Sequence, residues 1–213
     1  MNPNIFHDLR RMVREEMARL HLPELAVVQE QHPHASAGDD DNYACTIRLR
    51  ETGLVLKRVP VATARVGLTA IPQVGDLVLV QYLGGDVNAP VITGSLYNDQ
   101  DRPPLNEDGQ AVLNLPADSE DGMRLEVNSA SAVSTRLTIG SSLAVDLQDD
   151  DPVVHIDVGG GSAELIIESD GTVTIKSSRG LKLEGGAVEI KGTTIRAEAD
   201  GEMTLRGAII NLN

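Results

Sequence analysis

Aromatic side chains are nearly missing from this sequence. Phe6, Tyr43, Tyr82 and Tyr97 are the only ones among 213 residues, and none occurs from Asn98 to the C-terminus. Each aromatic ring buries roughly 150–250 Å² when it fills a core, so the C-terminal half is expected to be thin rather than round. Long apolar runs are missing as well. No stretch approaches the roughly 20 residues that span a bilayer, and the start Met-Asn-Pro-Asn-Ile-Phe-His-Asp lacks the basic-then-apolar order of a secretory leader. The expectation is therefore a chain made and folded in the cytoplasm. Basic residues are few: 18 Lys and Arg stand against 32 Asp and Glu, a formal net charge of -14. Binding to phosphate backbones needs clustered cations, so nucleic acid is excluded as a partner. The single cysteine, Cys45, has no intrachain disulfide partner and lies in a strand-like run, where a small buried thiol is expected.

What is present changes character along the chain. Phe6, Leu9, Val13, Met17 and Leu20 recur at steps of three and four and line one face of an N-terminal helix, which Pro23 is expected to end. Arg10, Arg11, Arg14 and Glu15 fall mostly off that stripe. Two readings stay open: a helix packed on its own domain, or one that docks on a partner or on symmetry mates. From Leu25 to Asn98 the period becomes that of strands, at Leu25–Gln31, Tyr43–Glu51, Leu54–Thr63, Asp76–Leu83 and Ala89–Leu96. Five strands in that space predict a small closed barrel. His32 to Asn42 is a polar loop; His32 and His34 are two conceivable metal ligands, but no Cys or further His follows at a ligand-like spacing. Gly84-Gly85-Asp86 lacks the Gly-Lys-Ser/Thr and the helix that a phosphate loop needs.

After a polar linker, Asp99 to Gln110, short alternating strands are expected near Ala111–Leu115, Met123–Val127, Arg136–Ile139, Leu143–Leu147, Val153–Val158 and Leu165–Glu168. The last segment repeats. Apolar pairs one residue apart fall at Val173/Ile175, Leu181/Leu183, Val188/Ile190, Ile195/Ala197, Met203/Leu205 and Ile210/Leu212, seven or eight residues from pair to pair, with Gly180, Gly185, Gly186, Gly192, Gly201 and Gly207 at the turns. A strand that short buries too little to stand alone and has to stack along an axis. A single-chain β-helix spends on the order of 20 residues per coil. Units of seven or eight instead suit one face per chain of a three-chain prism, with Val173, Ile175, Leu181, Leu183, Val188, Ile190, Ile195, Met203, Leu205, Ile210 and Leu212 inside.

The stretch Ile71–Asn98 carries Pro72-x-x-Gly75-Asp76 entering an apolar strand, Gly85-Asp86 before a short loop and Pro90, then Gly94-Ser95-Leu96-Tyr97-Asn98. This joint pattern resembles the OB-domain signature of the VgrG and phage baseplate assembly protein V family, the central spikes of contractile injection systems. The resemblance implies a mainly β chain made of an N-terminal helix (1–24), a five-stranded OB barrel (25–98), a linker (99–110) and an intertwined trimeric β-helical shaft (111–213). It also implies a structural role without catalytic residues, cofactors or bound metal. The implied partners are two further copies of the chain, tube and baseplate hub proteins met by Phe6, Leu9, Val13, Met17 and Leu20, a PAAR-type tip protein at the C-terminal end, effector cargo, and a target membrane met transiently. Some phage spikes carry a lysozyme domain after the barrel; here only the linker stands there, and no His-x-His tip motif lies near the C-terminus.

Two other classes compete. β-Helices also host polysaccharide-degrading enzymes, in which paired carboxylates do the work, but sugar clefts present aromatics and this half has none. An OB-fold adaptor with a β-rich tail is the other, although nucleic-acid-binding OB folds use aromatic platforms and a basic groove that this barrel lacks. No Ser/His/Asp constellation or zinc signature stands out, and His155 sits alone in its strand.

Overall fold

The computed structural model describes residues 3–17, 20–116, 119, 121–130 and 132–211. The chain divides into two units, Met1–Leu105 and Asn106–Asn213, which are described separately.

The first unit opens with helix α1, Pro3–Met17. Proline at the first helical position gives up an N–H that would have had no partner anyway. The helix ends at Met17, well before Pro23, so Leu20 is not on its face. Leu20 instead lies against Gly85, where an added Cβ would come within 2.6 Å of the Leu20 side chain, and the His21 N–H donates to the Gly85 carbonyl at 3.0 Å. Gly85 also has φ +78°, so both its backbone and this close approach require glycine.

Five strands follow: β1 (Glu24–His32), β2 (Ala44–Leu49), β3 (Val55–Pro60), β4 (Leu77–Tyr82) and β5 (Pro90–Leu96). They form one antiparallel sheet in the order β3-β2-β1-β4-β5. The two edge strands approach each other. Val61 forms a parallel bridge with Ile92, and the Ala62 N–H donates to the Ile92 carbonyl at 2.8 Å. Pro60 and Pro90 sit on these edge strands, where a missing donor is tolerated. The core is compact and aliphatic: Ala26, Val28, Cys45, Ile47, Leu49, Val59, Val78, Val80 and Ile92, with Tyr82 as its one ring. Burial pushes the Cys45 thiol up to about 11, helped by the nearby Asp76 charge.

In the second unit β6 (Gln110–Leu115), β7 (Met123–Asn128), β8 (Ser134–Ile139), β9 (Leu143–Gln148), β10 (Val154–Val158), β11 (Ala163–Ile167) and β12 (Val173–Ser177) form one sheet in strict sequence order. Every pairing is antiparallel and without register shift. The six strand regions expected between Ala111 and Glu168 are all present. Within the single chain, short turns reverse the direction each time and give an up-and-down meander. Val173 and Ile175, read as the first pair of the repeat, belong to the last strand of that sheet. From Ser178 to Asn211 the chain makes no strand, and every residue there is exposed.

Candidate assembly surfaces

The strand register of the second unit sorts its side chains onto two faces, since successive residues point to opposite sides. On one face the in-register row Leu113, Leu125, Leu137, Val145, Ile156, Leu165, Ile175 crosses all seven strands. The flanking rows are Ala111, Val127, Thr135, Leu147, Val154, Ile167, Val173 and Leu115, Met123, Ile139, Leu143, Val158, Ala163, Ser177. Thr135 and Ser177 are the only polar residues among them. Among the described residues of the unit, none buries this face fully. No described residue from Asn106 onward is buried; the five inner residues of the central row are half-buried, and its ends on the edge strands, Leu113 and Ile175, are 46% and 57% exposed.

The opposite face is polar and cross-linked by charge. Arg136 meets Asp146 across strands at 3.3 Å, Lys176 meets Glu164 at 3.1 Å, and Arg124 reaches Glu126 at 3.0 Å. His155 lies on this face with Nε2 3.9 Å from Glu164 Oε1. It stands among ion pairs, and its Nε2 is buried without a hydrogen-bond partner among the described residues. One face is thus charged and the other apolar.

The surface of the whole chain gives the magnitude. It exposes 17073 Å² for 22.7 kDa, whereas a folded monomer of that mass exposes about 9,500 Å². The excess includes the exposed segment Ser178–Asn211 as well as the seven-stranded sheet. Leu181, Leu183, Val188, Ile190, Ile195, Met203, Leu205 and Ile210 add to it, at 49% to 69% exposure. Leu212 lies outside the described residues.

The signature residues of the first unit build turns rather than a reactive site. Gln31 donates to the Pro72 carbonyl at 2.7 Å, the Gly75 N–H to the Val28 carbonyl at 3.0 Å, and the Gln73 N–H to the Asp76 carboxylate at 2.8 Å. This turn, with Gly75 at φ +101°, locks the start of β4 onto β1. Pairing of Leu77 with Leu96 brings Gly94, Ser95, Leu96, Tyr97 and Asn98 to the same end of the sheet, where Asn98 Oδ1 accepts from the N–H groups of Gln100 and Asp101. Gly85, Asp86 and Pro90 lie at the other end. There Asp86 Oδ1 accepts from the Asn88 N–H at 2.9 Å and closes the loop into β5.

His32 and His34 do not converge. His32 Nε2 bonds Thr46 Oγ1 at 2.8 Å, and His34 Nδ1 bonds Asp39 Oδ1 at 2.8 Å. Asp39 is held down to about 2, chiefly by the Ser36 N–H and then by His34. Among the described residues no group of three His, Cys, Asp or Glu is placed to hold a metal, and no helix is long and apolar enough to cross a membrane. Tyr82 donates its hydroxyl to Glu24 Oε1 at 3.1 Å; its pKa is pushed up to about 12, first by burial and then by this bond.

The stripe of α1 is also uncovered. Phe6, Leu9 and Val13 are 58%, 52% and 53% exposed, and Met12, which sequence periodicity left out, is 60% exposed. The side chain of Met17 lies outside the described residues. Of the two readings of the helix, packing on its own domain is not what the structure shows.

Residues 50–97 match the family described as the type VI secretion system/phage-baseplate injector OB domain. Over 86 residues the chain is 35% identical to the type VI secretion system spike proteins VgrG2a and VgrG2b of Pseudomonas aeruginosa PAO1. It is 38% identical over 65 residues to VgrG5 of the same organism. These alignments take in 40%, 40% and 30% of this chain but only 9%, 8% and 7% of the relatives, so the chain corresponds to less than a tenth of the length of each.

Proposed function

We propose that this chain, a VgrG-like protein in its injector OB domain, is the structural central spike of a contractile injection apparatus and works as a homotrimer. The observation that carries the reading is the uncovered apolar face of the seven-stranded sheet. A single layer cannot bury its own face and needs a second layer; here three copies of the face, turned inward, supply one another. The five-stranded sheet closes through the Val61–Ile92 bridge into an OB barrel. Beyond Ser178 the seven- and eight-residue units of three chains wind together, which is why the apolar pairs described there are exposed in one chain.

Stiffness follows from that arrangement. Interwound strands leave no long free edge and no chain able to unravel alone, as a shaft that pierces an envelope requires. α1 springs from the barrel end carrying Leu83–Gly85, opposite the end where β5 leaves for the linker. We assign that end, with Phe6, Leu9, Val13, Met17 and Leu20, to docking on the tube and hub. The C-terminal end takes a PAAR-type tip protein, and cargo, where carried, is borne by the assembled spike. The chain has no catalytic task in this reading.

Sedimentation equilibrium of the purified full chain at micromolar concentration tests the proposal. A species of three chain masses is expected; a monomer, or a two-chain sandwich of the same sheets, would overturn it.

A further inference from the structure

The barrel end at which α1 is rooted carries apolar side chains of its own. Leu22, Leu54 and Leu83 are 75%, 50% and 63% exposed there, beside Leu20 and Val55 at 53% and 42%. Backbone hydrogen bonds collect them: Arg50 N–H to the Leu25 carbonyl and Leu49 N–H to the Leu54 carbonyl at one side, His21 N–H to the Gly85 carbonyl at the other, each 2.9–3.0 Å. One chain therefore presents two bare apolar surfaces, an aliphatic platform on the barrel and the Phe6–Leu9–Val13 stripe on the helix. The helix does not lie on the platform of its own chain.

We infer that in the trimer α1 of each copy lies across the platform of the next copy. The charges at the two rims match. Arg10 and Arg14 follow the stripe residues Phe6 and Val13 by four and one positions, so they border it on one side. Glu51 and Asp86, both exposed, stand three residues from Leu54 and Leu83 at the edges of the platform. Arg50, at the same end, matches the Glu16 flank of the helix. A bundle of the three helices with one another fits less well. With Phe6, Leu9 and Val13 at inward positions of a heptad, the next inward position is Glu16, which would bring three carboxylates to one axis. A membrane surface also fits less well. Asp8, Glu15 and Glu16 cancel Arg10, Arg11 and Arg14, whereas helices that lie on anionic bilayers keep a basic polar face. A helix-to-neighbour contact is heterologous and closes on itself after three copies. The contact knits the barrels into a ring and leaves the Arg11 and Glu15 side of the helix outward for the hub. The inference rests on the trimer reading and changes the docking role proposed for α1: the Phe6–Leu9–Val13 stripe meets the neighbouring copy, and the hub meets the opposite side of the helix.

The test uses the full chain carrying Leu9→Cys and Leu54→Cys, treated with a short bis-maleimide. Cys45 is buried and stays silent. Bands at two and three chain masses on a denaturing gel are expected, and they should require both substitutions. A crosslinked band at one chain mass would overturn the inference, as would no crosslink in a protein that sediments as a trimer. A monomer by sedimentation would instead refute the trimer reading itself. In a second arm, the wild-type trimer should resist trypsin after Arg10, Arg11 and Arg14, and Leu54→Ser with Leu83→Ser should make those sites at least ten times faster to cleave. Equal cleavage in a trimeric variant would overturn the inference. Sedimentation of the wild-type trimer with vesicles of phosphatidylcholine and phosphatidylglycerol should show no binding; binding lost on Phe6→Ser would overturn it in favour of a membrane.

Discussion

A single aspartate at Val145 separates a covered face from a bare one. Val145 sits mid-row on the apolar face, in register with Leu137 on β8 and Ile156 on β10. In the isolated chain it is already partly buried, so Val145→Asp there would forfeit only part of the roughly 1.5–3 kcal/mol that full burial of such a side chain is worth. In the trimer the same change places three carboxylates near a common axis, dry and without partners. Each uncompensated buried charge costs roughly 3–5 kcal/mol. The three together come to roughly 9–15 kcal/mol, comparable to the whole stability of a domain, about 5–15 kcal/mol. Thr138→Asp is the control, because Thr138 lies on the polar face in register with Arg124. That change should stay within about 0.5 kcal/mol. The assay is trimer content by sedimentation, with melting followed by calorimetry. Val145→Asp is expected to abolish the trimer at pH 7 and to regain part of it near pH 5, since burial raises a carboxyl pKa and favours the neutral form. Trimers of equal heat resistance from both variants would refute the reasoning.

Three further outcomes are expected. Deleting residues 1–22 should leave a folded trimer that is absent from purified particles; particles that still contain the truncated chain would end the docking role of α1. In the repeat, Val188→Asp should fray the shaft or prevent trimer formation, while Glu189→Gln, one residue along and so on the other side of the strand, should be nearly silent; equal behaviour would show the interior assignment to be wrong. Asp39 has its pKa lowered to about 2 from 3.8, so its contribution to ordering the loop is complete above about pH 4 and is lost as pH falls through about 2. Amide resonances of Ser36 and Asp41 should move with that midpoint and lose the transition in Asp39→Asn; a midpoint near 4 in the wild type would contradict the hydrogen-bonded geometry.

Local pattern was enough for much of this protein. The alternation in Ala44–Leu49 and Leu77–Tyr82 marks strands with one buried face, and the three-and-four spacing of Phe6, Leu9 and Val13 marks a helix, because these periods are properties of a few consecutive residues. The turn chemistry of Pro72 to Asp76 is likewise visible, together with the family signature it resembles. The absence of rings after Asn98 points to a thin C-terminal half, and no described residue from Asn106 onward is buried. What lay beyond the sequence were relations between distant residues. Periodicity did not show that α1 stops at Met17 and Leu20 turns aside to Gly85, because that contact joins positions far apart in the chain. Nor could it show that Leu113 to Ile175 form one continuous row, since register depends on how seven strands align and each strand looks the same under a shift of two. Sequence by itself determined which residues are apolar and how often they recur. Only the tertiary structure decided that they share one bare face, because facing is set by hydrogen-bonded pairing across strands and not by any single segment.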